Sequence, residues 1–141
     1  MDAFDADALI YAAVPGHELG RRVLALLPAA PLDDGAPPAG VGSVLLIAEL
    51  LTKPTRDGAH DELAALAAIL GRLDLRPVDA ATAELAVAVG ASYGLRAADA
   101  AHLATAIAMG ADRFITNNVR DFPKAISEID VTYPADLPAS T

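Results

Sequence analysis

The sequence predicts an α/β domain in which a mostly parallel central sheet carries helices on both faces. Three observations predict it. Short strand-like segments (MDAFD at the start, LDLRPV, ADRFIT and IDVTYP) are interleaved with stretches whose apolar residues recur at helical spacing, and strands alternating with helices imply parallel pairing through crossovers. Hydrophobic residues make up 54% of the chain, and much of that share is alanine, which favours helix packing over a bulky β-sandwich core. Glycine and proline punctuate the pattern at Pro15–Gly16, Gly71, Gly94 and Gly110, where elements are expected to stop.

The elements follow in order. A first strand ends near Asp5 and turns at once into a helix; HELGRRVLALL then places Leu19, Val23 and Leu26 on one helical face, with Arg21 and Arg22 off it. The segment from Pro28 to Gly42, with Pro28, Pro31, Pro37 and Pro38 plus three glycines, is expected to be a surface loop. Ser43 stands as an N-cap before VLLIAELLTK, whose apolar residues surround a single acid, Glu49. After Pro54, HDELAALAAILGRL reads as an amphipathic helix closed by Gly71, LDLRPV as a strand, and ATAELAVAVGASYG as a helix ending near Gly94. The next helix, RAADAAHLATAIAMG, carries Asp99 in its first turn and stops at Gly110, followed by the strands ADRFIT and IDVTYP. One domain over residues 1–141 is expected, with no internal repeat; a chain of this size buries roughly 68 to 70% of the surface it exposes when unfolded.

Composition narrows the chemistry. There is no cysteine, so disulfides, thiolate nucleophiles and thiolate metal sites are excluded. The apolar runs are too short for a membrane span and no signal-peptide pattern opens the chain, so a cytoplasmic protein without membrane association is expected. A net charge of −9 argues against nonspecific adhesion to nucleic acid, which depends on Lys and Arg neutralising phosphates. Bound cations would change that sign locally.

The acids sort by position. Ligands of an open α/β sheet bind outside the carboxyl ends of the strands, and Asp5 and Asp7 follow the first strand while Thr116, Asn118 and Asp121 follow ADRFIT. Glu49 and Asp99 each interrupt an apolar helix face, Asp99 on the same side as His102, Leu103 and Ala106. Structural roles compete with functional ones: Asp5 or Asp7 can cap a helix and Asp99 is favoured by the helix dipole. Glu49 is harder to explain that way, since a carboxylate among Leu45, Leu46, Ile47, Leu50 and Leu51 is costly to bury unless paired or metal-bound. His102 reads as a packed helix residue, and His17 and His60 as surface residues. Carboxylates gathered on one rim repel unless a cation compensates; oxygen ligands without thiols suit Mg²⁺ or Mn²⁺ and hydrolysis of phosphodiesters.

With FDADALIYA, SVLLIAELL and GLRAADAAHLATAIAMGADRFITNNVRDF in this order, the chain resembles the PIN-domain ribonucleases, and within them the VapC-type toxins of toxin–antitoxin pairs. The resemblance covers nearly the whole chain. It implies a PIN-like three-layer α/β/α sandwich and a metal-dependent endoribonuclease. Asp5, Glu49 and Asp99 would be core acids binding Mg²⁺ or Mn²⁺, Asp121 the fourth, and Thr116, Asn118 and Asp7 would orient ligands or water from behind. Many relatives carry an aspartate where Asn118 stands; here the charge moves to Asp121. An RNA substrate, a VapB-type antitoxin covering the acidic groove and a homodimer are further implications. Arg96, Arg21, Arg22, Lys53 and Arg56 are the candidates for meeting RNA.

Rival readings each have a requirement. A dehalogenase- or phosphatase-like enzyme, suggested by the paired aspartates of DADAL, needs Thr or Val after the second aspartate, but Ala8 follows Asp7. A receiver-like phosphoacceptor needs an aspartate ending a central strand and a lysine after a late one; the LDLRPV strand is expected to end in Asp79, but no lysine follows the FIT strand at the expected place. A noncatalytic PIN-like protein-binding module is favoured by the amide at Asn118 and opposed by the retained acids.

Overall fold

The computed structural model describes residues 1–28 and 37–139. In chain order the elements are β1 (Asp2–Phe4), α1 (Ala6–Ala12), α2 (Glu18–Leu24), β2 (Gly40–Ser43), α3 (Leu45–Asp57), α4 (His60–Leu70), β3 (Leu73–Arg76), α5 (Ala80–Tyr93), α6 (Ala97–Ala108), β4 (Arg113–Ile115) and β5 (Asp130–Thr132), followed by a 3-10 turn at Pro134–Asp136. The strands form one sheet in the order β3-β2-β1-β4-β5, every pairing parallel.

Successive residues of a strand point to opposite faces, and this divides the core. Phe4 and Ile115 join Leu9, Val23, Leu46, Leu66 and Leu73 beneath α1 to α4. Their neighbours Ala3 and Phe114 join Val41, Val89, Leu103, Phe122 and Val131 on the face covered by α5 and α6. The result is three layers, as the alternation of elements predicts. Phe114 and Phe122 meet edge to face with centroids 5.0 Å apart, a geometry that adds roughly 0.5–1.5 kcal/mol beyond burial. Arg113 on β4 holds Asp2 on β1 through two bonds of 2.9 Å, fixing the register of the central pair.

Four expectations need correction. The segment from Pro28 to Gly42 is not a loop throughout: residues 29–36 lie outside the described residues, but Gly40–Ser43 is the buried strand β2 beside β1. Its glycines are there for close approach, since a Cβ at Gly40 would lie 2.4 Å from the Asp2 carbonyl oxygen. α3 does not end at Pro54 but continues to Asp57, where Gly58 caps it at φ 63°. His17 is not a free surface residue; its Nδ1 accepts from the Gly20 N–H at 3.1 Å and caps α2. Asp79 does not end a strand, because β3 stops at Arg76 on the sheet edge and Asp79 caps α5 by accepting from the Thr82 N–H at 2.8 Å. With no aspartate there, the receiver-like reading loses its acceptor.

Candidate active site

β1 lies between β2 and β4. The chain leaves β1 towards β2 on one side and returns much later to β4 on the other, so the loops at the two carboxyl ends diverge and open a crevice. Asp5 stands immediately after β1 and Thr116 immediately after β4. Both are buried, Asp5 to 4% and Thr116 to 0% exposure.

Local bonds fix the floor. Asp5 is the N-cap of α1: its Oδ1 accepts from the Ala6 N–H at 2.9 Å, and its Oδ2 accepts from the Thr116 hydroxyl at 2.8 Å. Asp7, in the first turn of α1, accepts from the Asn117 N–H at 3.0 Å. The Asn118 N–H donates to Thr116 Oγ1 at 3.1 Å. The Asn118 side chain then donates to Asp121 Oδ2 at 2.9 Å and accepts from the Asp121 N–H at 3.2 Å. Thr116 thus holds Asp5 and Asn118 holds Asp121, while Asp7 ties the turn after β4 to α1.

Two helices bring the other acids, from opposite faces of the sheet: Glu49 from α3 and Asp99 from the first turn of α6. Glu49 is not buried, contrary to expectation. Its side chain is 34% exposed, because the apolar residues around it, Val44, Leu45 and Ile47, face outward themselves. His102, one turn after Asp99, reaches over the end of the sheet so that Nε2 lies 3.1 Å from Glu49 Oε1. The oxygen is off the line of a hydrogen bond, and both buried ring nitrogens are left without a hydrogen-bond partner. The i, i+3 spacing from Asp99 was the one signal in the sequence that His102 belongs to the site.

The charges act on one another. Burial pushes the Asp5 carboxyl up to about 7, Asp7 adds to the rise, and His102, Thr116 and the Ala6 N–H oppose it. Burial also raises Asp7. Asp99 is raised by burial first, then by repulsion from Asp121 and Glu49, with His102 opposing and Asp7 adding. Burial lowers His102, but Glu49, Asp5 and Asp99 outweigh it and the imidazole is raised. All five acids therefore share one rim, with the His102 imidazole and the exposed Arg120, 3.7 Å from Asp121, beside them.

Among the described residues, no three acids or histidines stand close enough to enclose one metal ion as they are. The reason lies in the bonds above: Asp5 is committed to Thr116 and Ala6, Asp121 to Asn118, and Glu49 leans on His102. The donor chemistry nevertheless fits a hard divalent cation, because the set is carboxylate oxygen and the acids outnumber the basic groups beside them.

Of the residues expected to meet RNA, Arg22 is otherwise engaged: it donates to the Ala135 and Leu137 carbonyls at 3.1 and 3.2 Å. Arg21 pairs with Glu18 at 2.6 Å, and Arg56 stands beside Asp57 at 3.4 Å. Lys53 and Arg96 are exposed.

The PIN domain family model matches residues 3–126, and the chain belongs to that family. Among solved structures it is similar to a toxin–antitoxin complex from Klebsiella pneumoniae, at 25% identity and a TM-score of 0.71, over 95% of this chain and 98% of that one. It also shares its fold with VapBC2 from Rickettsia felis bound to a DNA fragment from their promoter (19% identity, TM-score 0.67, 94% and 97% covered). The same fold occurs in FitAB bound to an IR36 DNA fragment (22%, 0.63, 100% of both chains). No curated protein sequence matches significantly. No helix among the described residues is long and apolar enough to cross a membrane.

Proposed function

We propose that the chain is a metal-dependent endoribonuclease, the VapC-type toxin of a toxin–antitoxin pair: a cytoplasmic single-domain protein acting as a homodimer and held inactive by a VapB-type antitoxin. The observation that carries the reading is the gathering of Asp5, Asp7, Glu49, Asp99 and Asp121 at the carboxyl ends of β1 and β4, where burial and neighbouring carboxylates raise Asp5 and Asp99. Membership of the PIN family and the likeness to toxin–antitoxin complexes support it.

Asp5, Glu49, Asp99 and Asp121 would hold Mg²⁺ or Mn²⁺. A divalent ion there supplies an activated water and stabilises charge developing on phosphate oxygens. The chain does the positioning. Asp5 has its direction fixed from two sides by Thr116 and the Ala6 N–H. Asp99 and Glu49 approach from the two helical layers, and Asn118 turns Asp121 towards Asp99. Arg120, 88% exposed beside Asp121, is free to meet an incoming phosphate.

Incubating the purified protein with RNA and Mg²⁺ or Mn²⁺ should produce new 5′ ends, mapped by sequencing. Asp5→Asn or Asp99→Asn should abolish them, and coexpressed antitoxin should suppress them. Unchanged cleavage by the Asp5→Asn protein would sink the nuclease reading. Absence of cleavage by the wild type on any RNA would favour a noncatalytic binding module.

A further inference from the structure

His102 is a conflict in the core. Its residue exposure is 2%, and neither ring nitrogen has a hydrogen-bond partner. Buried polar groups are nearly always paired, and an exception in a folded protein needs a reason. Its neighbours Leu103, Ala104 and Ala106 on α6 are buried apolar residues, so a leucine at 102 would suit the same surroundings without a polar cost. What distinguishes the position is its reach: from α6 on one face of the sheet, Nε2 arrives 3.1 Å from Oε1 of Glu49, which belongs to α3 on the other face.

We propose that His102 is the positioning residue for Glu49. Asp5 and Asp121 have protein donors that hold them; among the described residues Glu49, on an outward-facing stretch of α3, has only the imidazole beside it. A small rotation of this partly exposed carboxylate brings Oε1 into line with an Nε2–H donor and leaves Oε2 facing the crevice. The imidazole then performs for a carboxylate what outer partners ordinarily do for a metal-ligating histidine, fixing its orientation. This rests on the metal-site reading of the same rim.

The test separates positioning from packing. His102→Leu removes the unpaired nitrogens and should melt, in chelator, at or above the wild-type temperature, yet bind Mn²⁺ roughly ten-fold or more weakly by calorimetry, as loss of an outer partner does. His102→Gln, whose amide reaches close to the Nε2 position, should restore most of that affinity. In a Glu49→Gln background, His102→Leu should cause no further loss. If the leucine variant fails to fold, wild-type ¹⁵N spectra decide: Mg²⁺ should shift the His102 ring nitrogens, and should not do so in Glu49→Gln. Wild-type Mn²⁺ affinity in His102→Leu, or ring nitrogens indifferent to Mg²⁺, overturns the positioning role alone. A wild-type protein that takes up neither ion overturns the metal site with it.

Discussion

Replacing Asp5 with Asn should stabilise the metal-free protein at pH 8 and change it little at pH 4. A carboxyl whose value rises from 3.8 to about 7 on folding contributes stability that is complete below 3.8 and lost as pH climbs through 7. The difference corresponds to at most roughly 4 kcal/mol of disfavour for the charged form. Local relaxation around the ionised group reduces it, so a gain of about 2 kcal/mol for the variant at pH 8 is expected, several degrees in Tm for a domain of this size. The amide keeps both local bonds, its oxygen accepting from the Ala6 N–H and its NH₂ meeting Thr116 Oγ1. Asp7, Asp99 and His102 are also raised, so they have the same sign and persist in both proteins. Glu18, Asp79, Asp112, Glu128 and Asp136 are lowered, and their contributions are lost only as pH falls below the ordinary carboxylate range. Urea titrations in EDTA, at one protein concentration and at pH 4, 6 and 8, measure the effect. A variant less stable than wild type at pH 8, or a difference that does not vary with pH, would refute the reasoning.

Asp121→Asn should weaken Mn²⁺ binding and RNA cleavage while leaving the melting temperature within a few degrees; unchanged ion binding and cleavage would show that Asp121 takes no part in the site. Phe114→Ala, at a fully buried position packed on Phe122, should cost roughly 3–5 kcal/mol in denaturant titrations, and a loss below about 1 kcal/mol would contradict the packing described. Gly40→Ala should impair folding, because the added Cβ meets the Asp2 carbonyl oxygen at 2.4 Å as well as the Phe4 ring at 2.7 Å; a soluble variant with wild-type Tm would show that β1 and β2 are not so close.

The gathering of the acids on one rim could be read from the chain because strand ends and helix first turns leave marks in sequence. Asp5 and Thr116 follow apolar strands, and Asp99 opens a helix that glycine closes. β2 left the opposite mark: Gly40 and Gly42 look like loop residues after a proline-rich segment, whereas they are where a strand passes too close to Asp2 and Leu46 to carry a Cβ. Glu49 misled in the other direction. Its apolar neighbours suggested burial, but which side of α3 meets the sheet depends on the layers, and Val44, Leu45 and Ile47 face outward. Strand order also has no local code, since it is set by which crossovers pack together. The link from His102 to Glu49 was hidden for the same reason: it joins two layers that lie on opposite faces of the sheet.

The insertion of β4 beside β1 has a consequence for synthesis. A chain emerging from the ribosome presents Asp5, Glu49 and Asp99 well before residue 113, yet until β4 arrives β1 has one unpaired edge. The hydroxyl that orients Asp5 lies 111 residues downstream. A crevice built this way cannot have its Asp5 wall completed until Thr116 has been made and β4 has docked beside β1.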